Sequence, residues 1–160
     1  MENTPVQTID LKSFEGKWYS LYSIPTLMDK HWKQTTETYT LADDDHFDVY
    51  TTYHKEGKSE EKSITSKLFF DPEHPDGEMK AQFFWPFKIG YSIIELAADY
   101  SYVVVGHPDE KYLFIMARQP DLEPSKVIEL IELSRARGYE VEKLQSQEHP
   151  GQLSLDINSK

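Results

Sequence analysis

The sequence of 160 residues predicts an all-β fold: an eight-stranded up-and-down antiparallel β-barrel with one C-terminal α-helix packed on its outside. Short apolar or alternating runs recur along the chain and are separated by turn-forming residues, as in antiparallel sandwiches and barrels. Gly16 and Trp18 open the first run, and Arg118 ends the last run before a helical pattern begins. An arginine whose guanidinium lies on an indole face would close one end of such a barrel, a contact worth roughly 0.5–2 kcal/mol.

The first four predicted strands are bounded by clear turn signals. Pro25 ends the first strand, and the acidic run Asp43-Asp44-Asp45 and the triplet Glu56-Gly57-Lys58 mark later hairpin turns. The predicted strands cover residues 18–24, 35–41, 47–53 and 63–70. The third of them alternates cleanly, so that one face carries Phe47, Val49, Thr51 and Tyr53.

The next four predicted strands follow a long loop at residues 71–77, which is rich in Pro, Asp and Gly. They cover residues 79–84, 91–96, 101–105 and 112–117. Most connections have hairpin length, which predicts a meander. Eight tilted strands close into a barrel that is just wide enough for a packed interior or for one small ligand.

After Arg118 the apolar residues change to a helical period. Pro124 stands near the first turn and Gly138 is a suitable C-terminal stop, while Val127, Ile128, Leu130 and Ile131 fall at helical spacing. One amphipathic helix on the outside of the barrel is therefore predicted. Residues 139–144 are expected to add a short ninth strand. The chain is divided into an N-terminal extension (1–9), a barrel domain (10–148) and a C-terminal tail (149–160).

Composition excludes several classes of function. The net charge of −11 argues against nucleic-acid binding and against a basic membrane-surface patch, because both need clustered positive charge. The absence of cysteine excludes disulfides, thiolate metal sites and cysteine nucleophiles. No run approaches the roughly 18 consecutive apolar residues of a membrane-spanning helix. No cofactor and no metal are expected, and a monomer or a weak homodimer is expected.

The start of the chain lacks the basic and apolar regions of a signal peptide. Two locations therefore stay open: the cytoplasm, or the periplasm and outer membrane if this is a mature form.

Four sequence blocks, in order and at the right separations, resemble one family. Residues 11–19 fit its Gly-x-Trp block, and residues 83–91 fit a Phe-Phe-x-Pro-Phe segment followed by Gly-Tyr. Residues 99–106 fit its Thr-Asp-Tyr block, with Ala98 in place of the threonine. Residues 112–120 fit its Tyr-Leu-Trp-Ile-Leu-Ser-Arg-x-Pro segment. The chain is thus similar to lipocalins over about residues 10–148, in particular to the branch of bacterial lipocalin, apolipoprotein D and plant temperature-induced lipocalin.

The resemblance implies non-catalytic binding and transport or storage of small hydrophobic molecules, with fatty acids or lysophospholipids as the expected ligands. Two departures bear on this. Family members often carry a disulfide, and anchored bacterial members begin with an acylated cysteine, whereas this chain has no cysteine. Phe114 stands where a tryptophan is common, which keeps an aromatic ring but changes the shape of the cavity.

Alternation along each strand, phased from Trp18 and Arg118 at the closed end, predicts the cavity lining. Gly16, Trp18 and Arg118 themselves are assigned to the structure of the closed end. On the first strand Ser20 and Ile24 are also expected to point inward. The predicted cavity residues are Tyr22, Val49, Thr51, Tyr53, Phe83, Tyr91, Ile93, Tyr102, Val104, Tyr112, Phe114 and Met116.

Other functions stay open beside a lipid carrier. The alternative is a filled barrel interior, with the protein acting as an interaction module that uses the apolar loop Trp85-Pro86-Phe87. An isomerase or hydrolase that uses tyrosines and Glu95 is a weaker alternative. The six histidines show no metal-binding spacing, and no nucleophile elbow or phosphate-binding loop is present.

Overall fold

A computed structural model, which describes residues 1–153 and 155, confirms the barrel prediction. Strands β1 to β8 pair antiparallel in chain order, and β1 also pairs with β8 to close the barrel. A two-residue strand, β9, adds to β1 beyond the end of its pairing with β2. The strands are β1 Gly16–Ile24, β2 Trp32–Ala42, β3 His46–Lys55, β4 Glu61–Phe69, β5 Glu78–Phe84, β6 Phe87–Leu96, β7 Tyr102–Gly106, β8 Leu113–Ala117 and β9 Gln145–Ser146.

Helix α1, Leu11–Phe14, leads into β1, and its N-terminus is capped by the Asp10 carboxylate. Helix α2, Pro124–Ala136, lies on the outside of the barrel, as the sequence predicts. Its buried residues Val127, Leu130 and Ile131 share an apolar cluster with outward side chains of β1, β7 and β8. No helix in the part of the chain that the structure describes is long and apolar enough to cross a membrane.

The closed end of the barrel is built around Trp18 and Arg118. The guanidinium carbon of Arg118 lies 3.7 Å from the centre of the Trp18 ring, which confirms the predicted cation–π contact. The same guanidinium donates hydrogen bonds to the carbonyl oxygens of Ser13 (2.8 Å), Lys17 (3.1 Å) and Tyr100 (3.2 Å). One side chain therefore joins α1, β1 and the β6–β7 turn.

The first nine residues also pack on the barrel. The backbone N–H of Val6 donates to the Ile93 carbonyl (2.9 Å), and the Val6 carbonyl accepts from Gly77 (2.9 Å). Ile9 belongs to the interior apolar cluster. The segment predicted as an N-terminal extension is thus held at the barrel by backbone bonds and apolar burial.

The predicted orientation of β1 is wrong beyond Ser20. A bulge interrupts its pairing with β8, so that Ser20 lies opposite Met116 but Tyr22 lies opposite Ile115. Residues directly opposite on paired strands share a face, and Ile115 faces outward toward α2. Tyr22 and Ile24 therefore lie in the outer cluster and not in the cavity.

The predicted orientation of β7 is wrong by one residue. Val104 lies opposite Ile115, and Tyr102 lies opposite Ala117, both on the outer face. Val103 and Val105 point inward instead. A strand of small apolar residues that is buried on both faces carries no alternation to fix its phase.

The end of the chain also differs from the prediction. Residues 139–144 contain a short 3₁₀ helix, Val141–Lys143, and the ninth strand is the pair Gln145–Ser146. His149, assigned to the tail, is buried, and its Nε2 donates to the Ser20 carbonyl (2.7 Å). Gln147 and Gln152 both donate to the Leu21 carbonyl, at 2.9 and 3.0 Å. The bulge in β1 is therefore covered by residues more than a hundred positions later in the chain.

We expect Arg118→Lys to destabilise the fold by about 1–3 kcal/mol, because an ammonium keeps the charge but loses the planar fork and several carbonyl contacts. Urea unfolding followed by tryptophan fluorescence measures the change. Arg135→Lys is the matched control, since Arg135 is exposed on α2 with only surface ion pairs and should change stability by less than about 0.5 kcal/mol. Equal effects of the two substitutions would contradict the assigned role of Arg118.

Candidate functional site

The interior of the barrel is divided into a filled half and an open half. Toward the closed end, Phe14 lies 5.4 Å from Trp18, 4.9 Å from Tyr39 and 5.7 Å from Phe47, measured between ring centres. These four side chains are almost completely buried. Beyond them, toward the other end, the strands enclose a narrow cavity of about 80 Å³. The interior is therefore only partly filled.

The structure brings most of the predicted cavity residues together. Seven of the twelve line the cavity, namely Val49, Thr51, Phe83, Tyr91, Tyr112, Phe114 and Met116. Two others are inside the barrel but do not line it: Tyr53 stacks on Trp32 with ring centres 3.6 Å apart, and Ile93 packs in the interior cluster. Tyr22, Tyr102 and Val104 lie on the outer face, as described above.

Strand β2 supplies the residues that sequence reasoning missed. Glu37, Tyr39 and Trp32 all line the cavity, as do Asp29 and Met28 from the preceding loop. The pairing of β1 with β2 places Glu37 opposite Trp18, which fixes its side chain on the inner face. Glu37 stands two residues before the aromatic Tyr39, and residues two apart on a strand share a face. This spacing was the available signal for an inward carboxylate on this strand.

Two tyrosines form a bridge across the barrel at the boundary between its two halves. The hydroxyls of Tyr39 on β2 and Tyr91 on β6 lie 2.9 Å apart. The Tyr39 hydroxyl also donates to Oε2 of Glu37 (3.1 Å), so the Tyr91 hydroxyl is left to donate to Tyr39. Because Glu37 precedes Tyr39 on a strand that runs toward the closed end, its carboxyl group lies on the cavity side of this bridge. The cavity therefore has a polar floor.

Burial changes the pKa values of the side chains that form this floor. Burial raises the pKa of Glu37 to about 7; the hydrogen bond from Tyr39 lowers it and the charge of Asp29 raises it further. Burial also raises the pKa of Tyr39 and of Tyr91, so both remain neutral donors. Near neutral pH the carboxyl of Glu37 is thus divided between its acid and carboxylate forms.

The mouth of the cavity lies where β4 and β5 separate. These two strands pair at only three positions, from Lys67 to Phe69 on β4. Ile64 and Ser66, beyond the paired stretch, line the cavity together with Phe83 and Ile89 from the β5–β6 hairpin. This gap provides a lateral opening framed mainly by apolar side chains.

The same hairpin ends in exposed aromatic residues. Phe84, Trp85 and Phe87 are 74%, 85% and 73% exposed, and Leu27 in the β1–β2 loop is 94% exposed. Exposed apolar residues in a cluster mark a surface that contacts another molecule. The predicted apolar loop is therefore on the surface and does not fill the barrel.

The described residues hold no cluster suited to a metal ion, and Glu95 lies outside the cavity. No group of three or more His, Asp or Glu side chains there is placed to hold a metal ion. Glu95, the candidate for an enzymatic role, lies opposite the outward Val104. Its carboxylate pairs with Arg137 at 2.8 Å. It does not line the cavity.

Comparison with known proteins agrees with the geometry. The family of lipocalin-like domains matches residues 9–149. The outer membrane lipoprotein Blc of Vibrio cholerae is 31% identical over 141 residues, covering 88% of this chain and 82% of that protein. Temperature-induced lipocalin-1 of Arabidopsis thaliana is 26% identical, covering 87% and 78%. Insecticyanin from the tobacco hornworm Manduca sexta has the same fold, with a TM-score of 0.72 at 17% identity over 94% of this chain and 86% of that one.

We expect Glu37→Gln to stabilise the protein at alkaline pH by on the order of 2–3 kcal/mol relative to wild type. The folded-state pKa of about 7 lies above the ordinary value of 4.5. Below about pH 4.5 Glu37 is protonated in the folded protein and contributes its full stability. The free energy of unfolding of the wild type then falls as pH rises from there through about 7. Urea unfolding of both proteins at about pH 4.5 and about pH 8.5 measures the difference. A difference between the proteins that does not change with pH would contradict the assigned environment of Glu37.

Proposed function

The chain belongs to the lipocalin family, and we propose that it binds small hydrophobic molecules in its barrel cavity and carries or stores them without catalysing a reaction. The observation that carries this proposal is the narrow, mainly apolar cavity that opens between β4 and the β5–β6 hairpin. The described lining is formed mainly by apolar side chains, and it contains no histidine. Binding is the function for which this geometry is suited.

The shape of the cavity favours a single slender chain, and we propose fatty acids or lysophospholipids as the natural class. Each buried methylene contributes about 0.8 kcal/mol, so an acyl chain gains useful affinity from burial alone. The lining supplies apolar contacts from Val49, Phe83, Phe114 and Met116. Likeness to bacterial and plant lipocalins supports the binding of a small hydrophobic ligand, and the choice of single-chain lipids rests on the narrow shape of the cavity.

A fluorescent fatty-acid probe tests this function directly. We expect the wild-type protein to bind it with micromolar affinity or better, and unlabelled single-chain lipids to displace it. Ser66→Trp should weaken binding at least about tenfold, because Ser66 lines the mouth and the indole would occupy the path of the chain.

Thr65→Trp is the matched control on the same strand. Thr65 is exposed and points away from the cavity, so its substitution should leave the probe affinity unchanged. Failure of the wild-type protein to bind any lipid in a broad panel would refute the proposed function. Equal loss in both variants would place the binding site elsewhere.

A second function is favoured by the exposed hairpin. Phe84, Trp85 and Phe87 form an apolar patch beside the mouth, and we propose that it mediates contact with another protein molecule, a second copy of this chain being the simplest case. This function does not require the cavity to bind a ligand.

We expect the wild-type protein to sediment as a concentration-dependent, weak homodimer and the double variant Trp85→Ser, Phe87→Ser to sediment as a monomer. Loss of two exposed aromatic anchors removes the main apolar area of the contact. Sedimentation velocity over a wide concentration range measures both. Leu153→Ser, another exposed apolar position, serves as the control and should not change the association. A wild-type protein that stays monomeric throughout would count against this second function.

A further inference from the structure

We propose that Glu37 makes the cavity selective for an amphiphile with a cationic, hydrogen-bond-donating head group, a long-chain primary amine being the clearest example, bound with its head at the cavity floor. This inference rests on the proposed function and deepens it, because it names the head group that the same cavity selects. It keeps the proposed binding of hydrophobic molecules in the cavity, but it is an alternative to the fatty acids proposed above, because the head group it names is cationic. The carboxyl group of Glu37 and the positions of the charges around it carry the argument.

Glu37 lies on the cavity side of the Tyr39–Tyr91 bridge, at the deep end of the open space. One of its oxygens accepts from Tyr39, and the described structure gives it no other side-chain partner. None of the salt bridges among the described residues includes Glu37. Its remaining acceptor capacity faces the cavity.

Other polar groups also line the cavity. Asp29, near the mouth, accepts from the backbone N–H and the hydroxyl of Thr26, both at 2.6 Å. The Tyr112 hydroxyl donates to the Gly90 carbonyl. Lys67 is exposed at the rim. Among the described lining residues, Glu37 and Asp29 thus supply carboxyl groups, one at the floor and one near the mouth, the phenols are neutral, and Lys67 at the edge is the one lysine or arginine.

The carboxyl group of Glu37 affects which ligands bind favourably in the cavity. A carboxylate that lacks a nearby counter-charge in an apolar cavity is unfavourable, and a ligand cation that donates hydrogen bonds to it relieves that cost. A fatty acid bound head-down would place two carboxyl groups together. Bound tail-down, it would place its methyl end against a group that prefers water. Neither orientation lets the ligand compensate the charge of Glu37.

Three ligands of equal chain length separate these cases: dodecylamine, dodecanol and dodecanoate. Each competes against the same fluorescent fatty-acid probe at about pH 8.5, below its critical micelle concentration, where Glu37 is mainly ionised and the amine is mainly cationic. We expect the wild-type protein to bind the amine at least about tenfold more tightly than the alcohol, and the acid most weakly.

Glu37→Gln should remove this preference, so that the amine and the alcohol compete with about equal affinity. Glu61→Gln is the matched control, because Glu61 is exposed on β4 and carries no assigned ion pair among the described residues. Both variants reduce the net charge of −11 by one unit, so general attraction of cations by an acidic protein affects them equally. A preference for the amine that persists in Glu37→Gln would overturn the inference.

Two further outcomes separate this inference from the proposed function. If all three ligands compete equally, or if the acid competes best, selectivity by Glu37 is wrong while hydrophobic binding stands. If no ligand and no probe bind, the proposed function itself fails. The wild-type protein at about pH 5 provides a test without mutation: protonation of Glu37 should reduce the preference for the amine, and an unchanged preference would overturn the inference.

Discussion

The contact between Arg118 and Trp18 is the constraint on which the rest of the barrel depends. The guanidinium stacks on the indole and at the same time binds carbonyl oxygens of three separate segments, so α1, the start of β1 and the β6–β7 turn are held by one side chain. A closed barrel must fix its strand register somewhere, and a rigid fork of donors does so with little loss of rotamer freedom. Because Arg118 fixes the strand register at the closed end, the residues at the open end do not have to fix it.

The Tyr39–Tyr91 bridge marks where this structural task ends. Below it, Phe14, Trp18 and Phe47 fill the interior with aromatic rings that are almost completely buried. Above it, the walls separate, β4 leaves β5 after three paired positions, and a polar group is present without a counter-charge. The barrel interior therefore has two parts: a packed part that stabilises the fold, and an open part that contains the cavity and the carboxyl group of Glu37.

The sequence predicts the barrel well because closed-end residues, turns and the outer helix are local signals. The inward faces of β3 and β8 were also predictable, since β3 alternates from Phe47 to Tyr53 and the phase of β8 is given by Arg118 directly after it. The errors at Tyr22 and Val104 have different causes. The β1 bulge is stabilised by Gln147 and Gln152, which no local pattern connects to Leu21. Strand β7 is buried on both faces, and its valines therefore carry no phase.

Glu37 was missed for a third reason: its significance depends on what is absent around it. A glutamate on a predicted strand is ordinarily a solvent-facing residue, so its spacing from Tyr39 was a weak signal, and the register with β1 places it on the inner face with Trp18. The fold accommodates Glu37 because the Tyr39 hydroxyl donates to its carboxyl group and because Arg118 and the aromatic cluster stabilise the closed end. The carboxyl group of Glu37 lies in the open half of the barrel, at the floor of the cavity, and the proposed selectivity for a cationic head group rests on this position.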